Sequence, residues 1–133
     1  MKRNAIFLFI GILIGLSTAA SGGEIIGPVD TIQQFFTASR NGDIETIKNL
    51  ITGPFLNKRK VLIERNAGYS DFLIKQFEGI EIEIISTEVG NDGSSAFVTV
   101  KRRYPNGSTL DTKFSLKKSE DDTWKIYDEK LAP

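Results

Sequence analysis

Chemistry in this chain is sought first at four polar side chains standing on strand faces that are otherwise apolar. Ala96, Val98 and Val100 alternate along one face, which continues into Arg102 and Tyr104. Thr112 sits in phase with Leu110, Phe114 and Leu116, while Trp124 and Ile126 lead to Asp128 and Lys130. Residues two apart on a strand point the same way. If those faces line one hollow, Arg102, Tyr104, Thr112 and Asp128 form a polar rim at its mouth. A guanidinium in a partly desolvated cleft holds a carboxylate or phosphate through two parallel hydrogen bonds. The competing expectation is structural: Arg102 and Asp128 pair with each other, or reach water, where the core stops at the strand ends.

Composition removes many other chemistries. The 133 residues include no cysteine and no histidine. A disulfide framework, a thiol nucleophile, a Ser-His or Cys-His pair and an ordinary zinc or copper site are therefore excluded, and no cofactor is expected. The basic triplets Lys58-Arg59-Lys60 and Lys101-Arg102-Arg103 lack interleaved aromatics for base stacking, so they read as solvated charge and no nucleic-acid partner is expected. Glu120-Asp121-Asp122 lacks the alternation, central glycine and distal glutamate of a calcium loop and reads as a hairpin tip. Ser115 and Lys118 match a serine–lysine catalytic string, but on a strand they point to opposite faces. Asn106-Gly107-Ser108 fits a glycosylation sequon, which the Asn-Gly turn already explains.

The chain opens like an export signal. Lys2 and Arg3 precede the apolar run Ala5–Leu16, and the small residues Ser17-Thr18-Ala19-Ala20-Ser21 follow. Positive start, apolar core and small-residue site describe a secretory signal peptide over 1–20, cleaved after Ala20 or Ala19. Even extended to Ala20 the apolar run is 16 residues, short of the ~20 that cross a bilayer as a helix. No stable membrane span is thus expected once the leader is cleaved; if it is kept, it acts as an anchor. Removing Lys2 and Arg3 from 17 basic residues against 17 acidic leaves a net charge of −2. Such a mature chain has no overall pull towards nucleic acid or anionic lipid. Export without cysteine favours a bacterial periplasm or exterior.

The remainder reads as one domain over 28–133 after a flexible joint at 21–27. Pro28 and Asp30 suit a helix start, and Val29, Ile32, Phe35 and Phe36 form its apolar stripe. Asn41-Gly42 ends this helix and Asp43 caps a second, with Ile44, Ile47, Leu50 and Ile51 buried until Thr52-Gly53-Pro54 stops it. A third helix, capped by Asn57, is expected to carry Val61 and Leu62 and to break at Ala67-Gly68; a fourth, capped by Ser70, is expected to bury Leu73, Ile74 and Phe77. From Ile80 the period becomes two. The alternation slips at Ile84-Ile85, the mark of a β-bulge, and Ile85, Thr87 and Val89 take the other phase. Gly90–Gly93, Asn106-Gly107 and Ser119–Thr123 separate three further strands, the last opening at Trp124, a core anchor. The fold class is α+β, with helices packed in the hollow of a strongly curved antiparallel meander. Phe97 and Thr99 lie opposite the Val98 face, and apolar residues on both faces suggest a covered outer surface, through a homodimer across the sheet or equally through a helix end or the N-terminal segment.

The first helix ending in Asn41-Gly42-Asp43, the bulged strand Ile80–Val89, the two hairpins and Asp122-Thr123-Trp124-Lys125-Ile126 together resemble the nuclear transport factor 2-like (cystatin-like) superfamily. Within it the chain is most similar to small exported bacterial domains of unknown function related to the lumazine-binding-like group. The resemblance spans about Val29 to Leu131 and implies a cone: helices lying within a bent sheet, in relatives that often dimerise through it. Isomerase and dehydratase members place carboxylates, tyrosines or histidines inside the cone. Here the first helix presents only Val29, Ile32, Phe35 and Phe36, and Asp43 is accounted for as a cap. The expectation is a non-catalytic, exported domain that binds a small amphipathic or anionic ligand in the hollow or a protein partner through the sheet. The alternatives are an isomerase or dehydratase using Asp128 with Tyr104 or Arg102, and a subunit of an envelope or secretion assembly.

Overall fold

The computed structural model describes residues 27–132; the expected leader at 1–20 and the joint at 21–26 lie outside the described residues. Among the described residues four helices precede four strands: α1 Pro28–Asn41, α2 Ile44–Leu50, α3 Gly53–Arg65, α4 Tyr69–Phe77, β1 Glu81–Val89, β2 Ser95–Arg103, β3 Thr109–Lys118 and β4 Trp124–Leu131. The strands form one antiparallel meander in the order β1-β2-β3-β4. The α+β architecture is therefore the expected one. Among the described residues no helix is long and apolar enough to cross a membrane.

Helix α1 is the element the rest encloses. It touches β1, β2 and β4 and is flanked by α2 and α4. Pro28 sits where a missing N–H costs nothing, and the Asp30 carboxylate accepts from Gly27 N at 3.1 Å. Ile32, Phe35 and Phe36 are wholly buried. The ring of Phe35 lies 5.6, 5.7 and 6.1 Å from those of Phe36, Phe55 and Phe114, and Phe36 lies 5.9 Å from both Phe77 and Phe114. These separations suit tilted and edge-to-face packing, worth about 0.5–1.5 kcal/mol per pair beyond area burial. Two polar residues of the buried stripe are satisfied internally, Thr31 Oγ1 donating to Gly27 O and Ser39 Oγ to Phe35 O.

Gly42 ends α1 in the left-handed region at φ +65°, and Asp43 caps α2 by accepting from Thr46 N at 3.2 Å and Thr46 Oγ1 at 2.6 Å. Gly53-Pro54 opens α3 instead of merely stopping α2, because proline at the first helical turn leaves no bond unmade. The expected start at Asn57 is therefore too late. α3 runs along β4 on the stripe Phe55, Arg59 and Ile63, which leaves Val61 and Leu62 exposed. Leu73 and Phe77 of α4 are buried, whereas Ile74 is exposed. Ser70 does not cap α4; its hydroxyl donates to Gly42 O at 2.7 Å, tying α4 to the α1–α2 corner.

The β1 bulge occurs where the alternation slips, between Ile84 and Ser86. Its effect is the reverse of a change of face. Ile84 stands opposite Val100, and after the extra residue Ile85 the register gives Thr87 opposite Val98 and Val89 opposite Ala96. Thr87 and Val89 thus stay on the inner face. The outer face carries Phe97 and Thr99 as expected, set among charged residues. Lys113 Nζ lies 4.6 Å from the Phe97 ring centre, and Lys101 reaches Asp111 at 3.5 Å.

Two expectations about stability follow. A Cβ on Gly42 would meet Ser70 O at 2.8 Å while holding a positive φ, so Gly42→Ala is expected to cost about 1–3 kcal/mol, read from urea unfolding; an unchanged midpoint would contradict the corner. At the β3–β4 tip, Asp121 accepts from Ser119 Oγ, from Thr123 Oγ1 at 2.7 Å and from Thr123 N at 3.3 Å. Those bonds, Ser119 foremost, lower its pKa to about 2. A depressed folded pKa means support present above the unfolded carboxylate value of ~3.9 and lost as pH falls towards the folded one. Amide protection at Ser119–Thr123, taken relative to the intrinsic exchange rate at each pH, is expected to fall between pH ~4 and ~2.

Candidate functional site

A second bulge decides which acid faces inward. β3 presents Thr112, Phe114 and Leu116 to the core, all buried. Ile126 lies opposite Leu116, but the register then skips Tyr127, pairing Asp128 with Ser115 and Glu129 with Phe114. The extra residue inverts the phase of β4 beyond it. Asp128 is carried to the outer face, where its nearest ionic partner is Lys130 at 3.8 Å. Placing Asp128 on the rim is therefore corrected: Glu129 takes that position.

Arg102 lies on the inner face of β2, opposite Ile82 of β1 and Leu110 of β3. Its side chain crosses β3 to the carboxylate of Glu129, Nη2 donating to Oε2. The two side chains are only 12% and 18% exposed. The guanidinium carbon lies 5.1 Å from the centre of the Phe36 ring and 5.9 Å from that of Phe114, a cation–π seat over the α1 cluster. Burial lowers the Arg102 pKa most; the neighbouring Tyr104 phenol opposes this, and the positive charge of Arg59 adds to the lowering. Arg102 Nε and Thr112 Oγ1 are buried without a hydrogen-bond partner. Tyr104 follows β2 and is held by its backbone, N to Ser108 O at 2.9 Å, in the Asn106-Gly107 turn. Arg102 and Thr112 thus share the inner face of the sheet, with the Tyr104 phenol beside the guanidinium and Thr112 buried.

A second arginine completes the rim. Arg59 of α3 donates to the Tyr69 hydroxyl at 3.1 Å, and its guanidinium carbon lies 4.9 Å from the Phe55 ring centre and 5.5 Å from that of Phe35. Sequence reading assigned Arg59 to a solvated triplet. The signal that would have found it is the four-residue spacing from Phe55, which puts both on one helical face. The site is an aromatic floor of Phe35, Phe36, Phe55 and Phe114, overlaid by two guanidinium groups with three hydroxyl-bearing side chains beside them. Exposed Leu110 and Leu131 stand on the same sheet face, opposite Arg102 and Thr112. An open groove of about 350 Å³ between α2 and α3, lined by Lys48, Asn49, Leu56, Lys60, Ile63 and Glu64, contains none of the rim residues.

No protein-family model matches the sequence, and comparison with curated proteins finds no match. Solved structures do match. A SEC-C motif containing protein from Rhodopseudomonas palustris superposes with a TM-score of 0.56 at 14% identity, over 83% of this chain and 82% of the other. A candidate NTF2-like transpeptidase from Campylobacter jejuni gives 0.52 at 14% identity, over 76% and 98%. The chain has the nuclear transport factor 2-like fold. A candidate ketosteroid isomerase from Shewanella frigidimarina matches at 0.50 and 15% identity, over 74% of this chain and 89% of that one. At such identities the likeness concerns architecture alone, and a fold does not fix a function.

The bulge makes neighbouring acids unequal. Glu129→Ala would leave the Arg102 charge largely buried and unpaired, at an expected cost of about 1–3 kcal/mol. Asp128→Ala removes an exposed pair and is expected to cost under ~0.5 kcal/mol. Equal losses in chemical unfolding would contradict the register of β4.

Proposed function

We propose that this protein is an exported, non-catalytic binding domain that takes a small amphipathic anion at the mouth of its helix-filled hollow. The observation that carries this reading is the pair of arginines, Arg59 and Arg102, seated on phenyl rings with Glu129 as their one carboxylate contact among the described residues. Two cations against one anion leave a positive charge in a partly desolvated place, where an anion interacts more strongly than in open water. Leu110 and Leu131 offer an apolar body something to lie against. Export is supported by the basic, apolar and small-residue order of Lys2 to Ser21.

The enzyme alternative drawn from Asp128 with Tyr104 or Arg102 lacks its acid, since Asp128 faces the other side of the sheet. The inward carboxylate, Glu129, is engaged by Arg102. Calorimetric titration of the purified protein with octanoate tests the binding reading. Saturable binding is expected, weakened about tenfold or more in Arg102→Met and in Arg59→Met, given the usual strength of charge-assisted bonds. Undiminished binding by both variants, or none by the parent, would overturn it.

A further inference from the structure

Glu129 meets Arg102 through a single bond, Oε2 to Nη2. The neighbouring donor on the same edge of the guanidinium, Nε, is buried and unpaired, and so is Thr112 Oγ1. Buried polar atoms are nearly always satisfied, and one left without a partner is costly. Arginine binds a carboxylate best through two parallel bonds, and the edge formed by Nε and Nη2 is one that a carboxylate fits. Glu129 sits two residues before the end of β4, followed by exposed Lys130 and Leu131, so its side chain has water beside it to turn into.

We infer that Glu129 is an internal placeholder, which an incoming monocarboxylate displaces to engage Arg102 at both Nε and Nη2. This rests on the binding reading above and names its ligand class. Exchange of one carboxylate for another leaves the charge around Arg59 and Arg102 unchanged, and a carboxylate presents two in-plane oxygens to the Nε–Nη2 edge. The apolar body of the ligand lies towards Leu110 and Leu131, the exposed apolar side chains facing Arg102 and Thr112 across the strands. Glu129 thereby sets a threshold of affinity: weak carboxylates fail to displace it, and those with an apolar body succeed.

The test is calorimetric titration of the parent, Glu129→Gln and Glu129→Asp with benzoate, octanoate, acetate and inorganic phosphate, with circular dichroism confirming that each variant is folded. Removing the competing charge is expected to tighten benzoate and octanoate binding about tenfold in Glu129→Gln and less in Glu129→Asp. Acetate and phosphate are expected to bind more weakly than either in all three proteins. Parent binding of octanoate that neither variant improves would overturn the placeholder alone. Phosphate binding tighter than benzoate would overturn the ligand class. Absence of binding by parent and variants together would overturn the underlying reading as well.

Discussion

The fold turns on the seating of Phe35 and Phe36 of α1 against Phe114 of β3. Adjacent residues on a helix diverge by roughly 100°, so this pair reaches in two directions at once, towards Phe55 of α3 and Phe77 of α4. Every helix except α2 is thereby tied to the sheet through one cluster of rings. α2 joins by another route, through buried Ile47 and the parallel bridge between Ile51 and Ile126. The same rings form the seat on which both arginines rest, so core and site are one construction.

That coupling explains how charge is tolerated there. An arginine that is 12% exposed would be expensive without compensation. Arg102 has three sources: an aromatic face below, a carboxylate across β3 and a phenol alongside. They do not satisfy it fully, since Nε remains unpaired. Buried polar atoms left without a partner are uncommon, and Arg102 Nε and Thr112 Oγ1 are two of them within an aromatic interior. The two bulges act in complementary ways. The one at Ile85 keeps Thr87 and Val89 on the inner face of β1; the one at Tyr127 exchanges which acid faces inward on β4.

Much of this was legible from residue order. Helical and strand periods, the Asn41-Gly42-Asp43 corner, the Asn-Gly hairpin and the first bulge are local features, set by the φ preferences of a few residues and by alternation that neighbours enforce. Arg102, Tyr104 and Thr112 could be grouped because strand alternation runs unbroken through β2 and β3. The inward carboxylate could not be found this way. Trp124-Lys125-Ile126-Tyr127-Asp128-Glu129 alternates without a flaw up to Asp128, so nothing local marks the extra residue.

The sequence by itself determined the α+β class, the strand succession and an interior of aromatic bulk, because each depends on short-range pattern and on hydrophobicity. Tertiary structure alone decided that α3 starts at Gly53 and turns Phe55, Arg59 and Ile63 inward, and that Glu129 supplants Asp128. Both choices follow from how a segment registers against a neighbour: α3 against β4, and β4 against β3. Registration is fixed by contacts between residues far apart in the chain, and no window along it contains them.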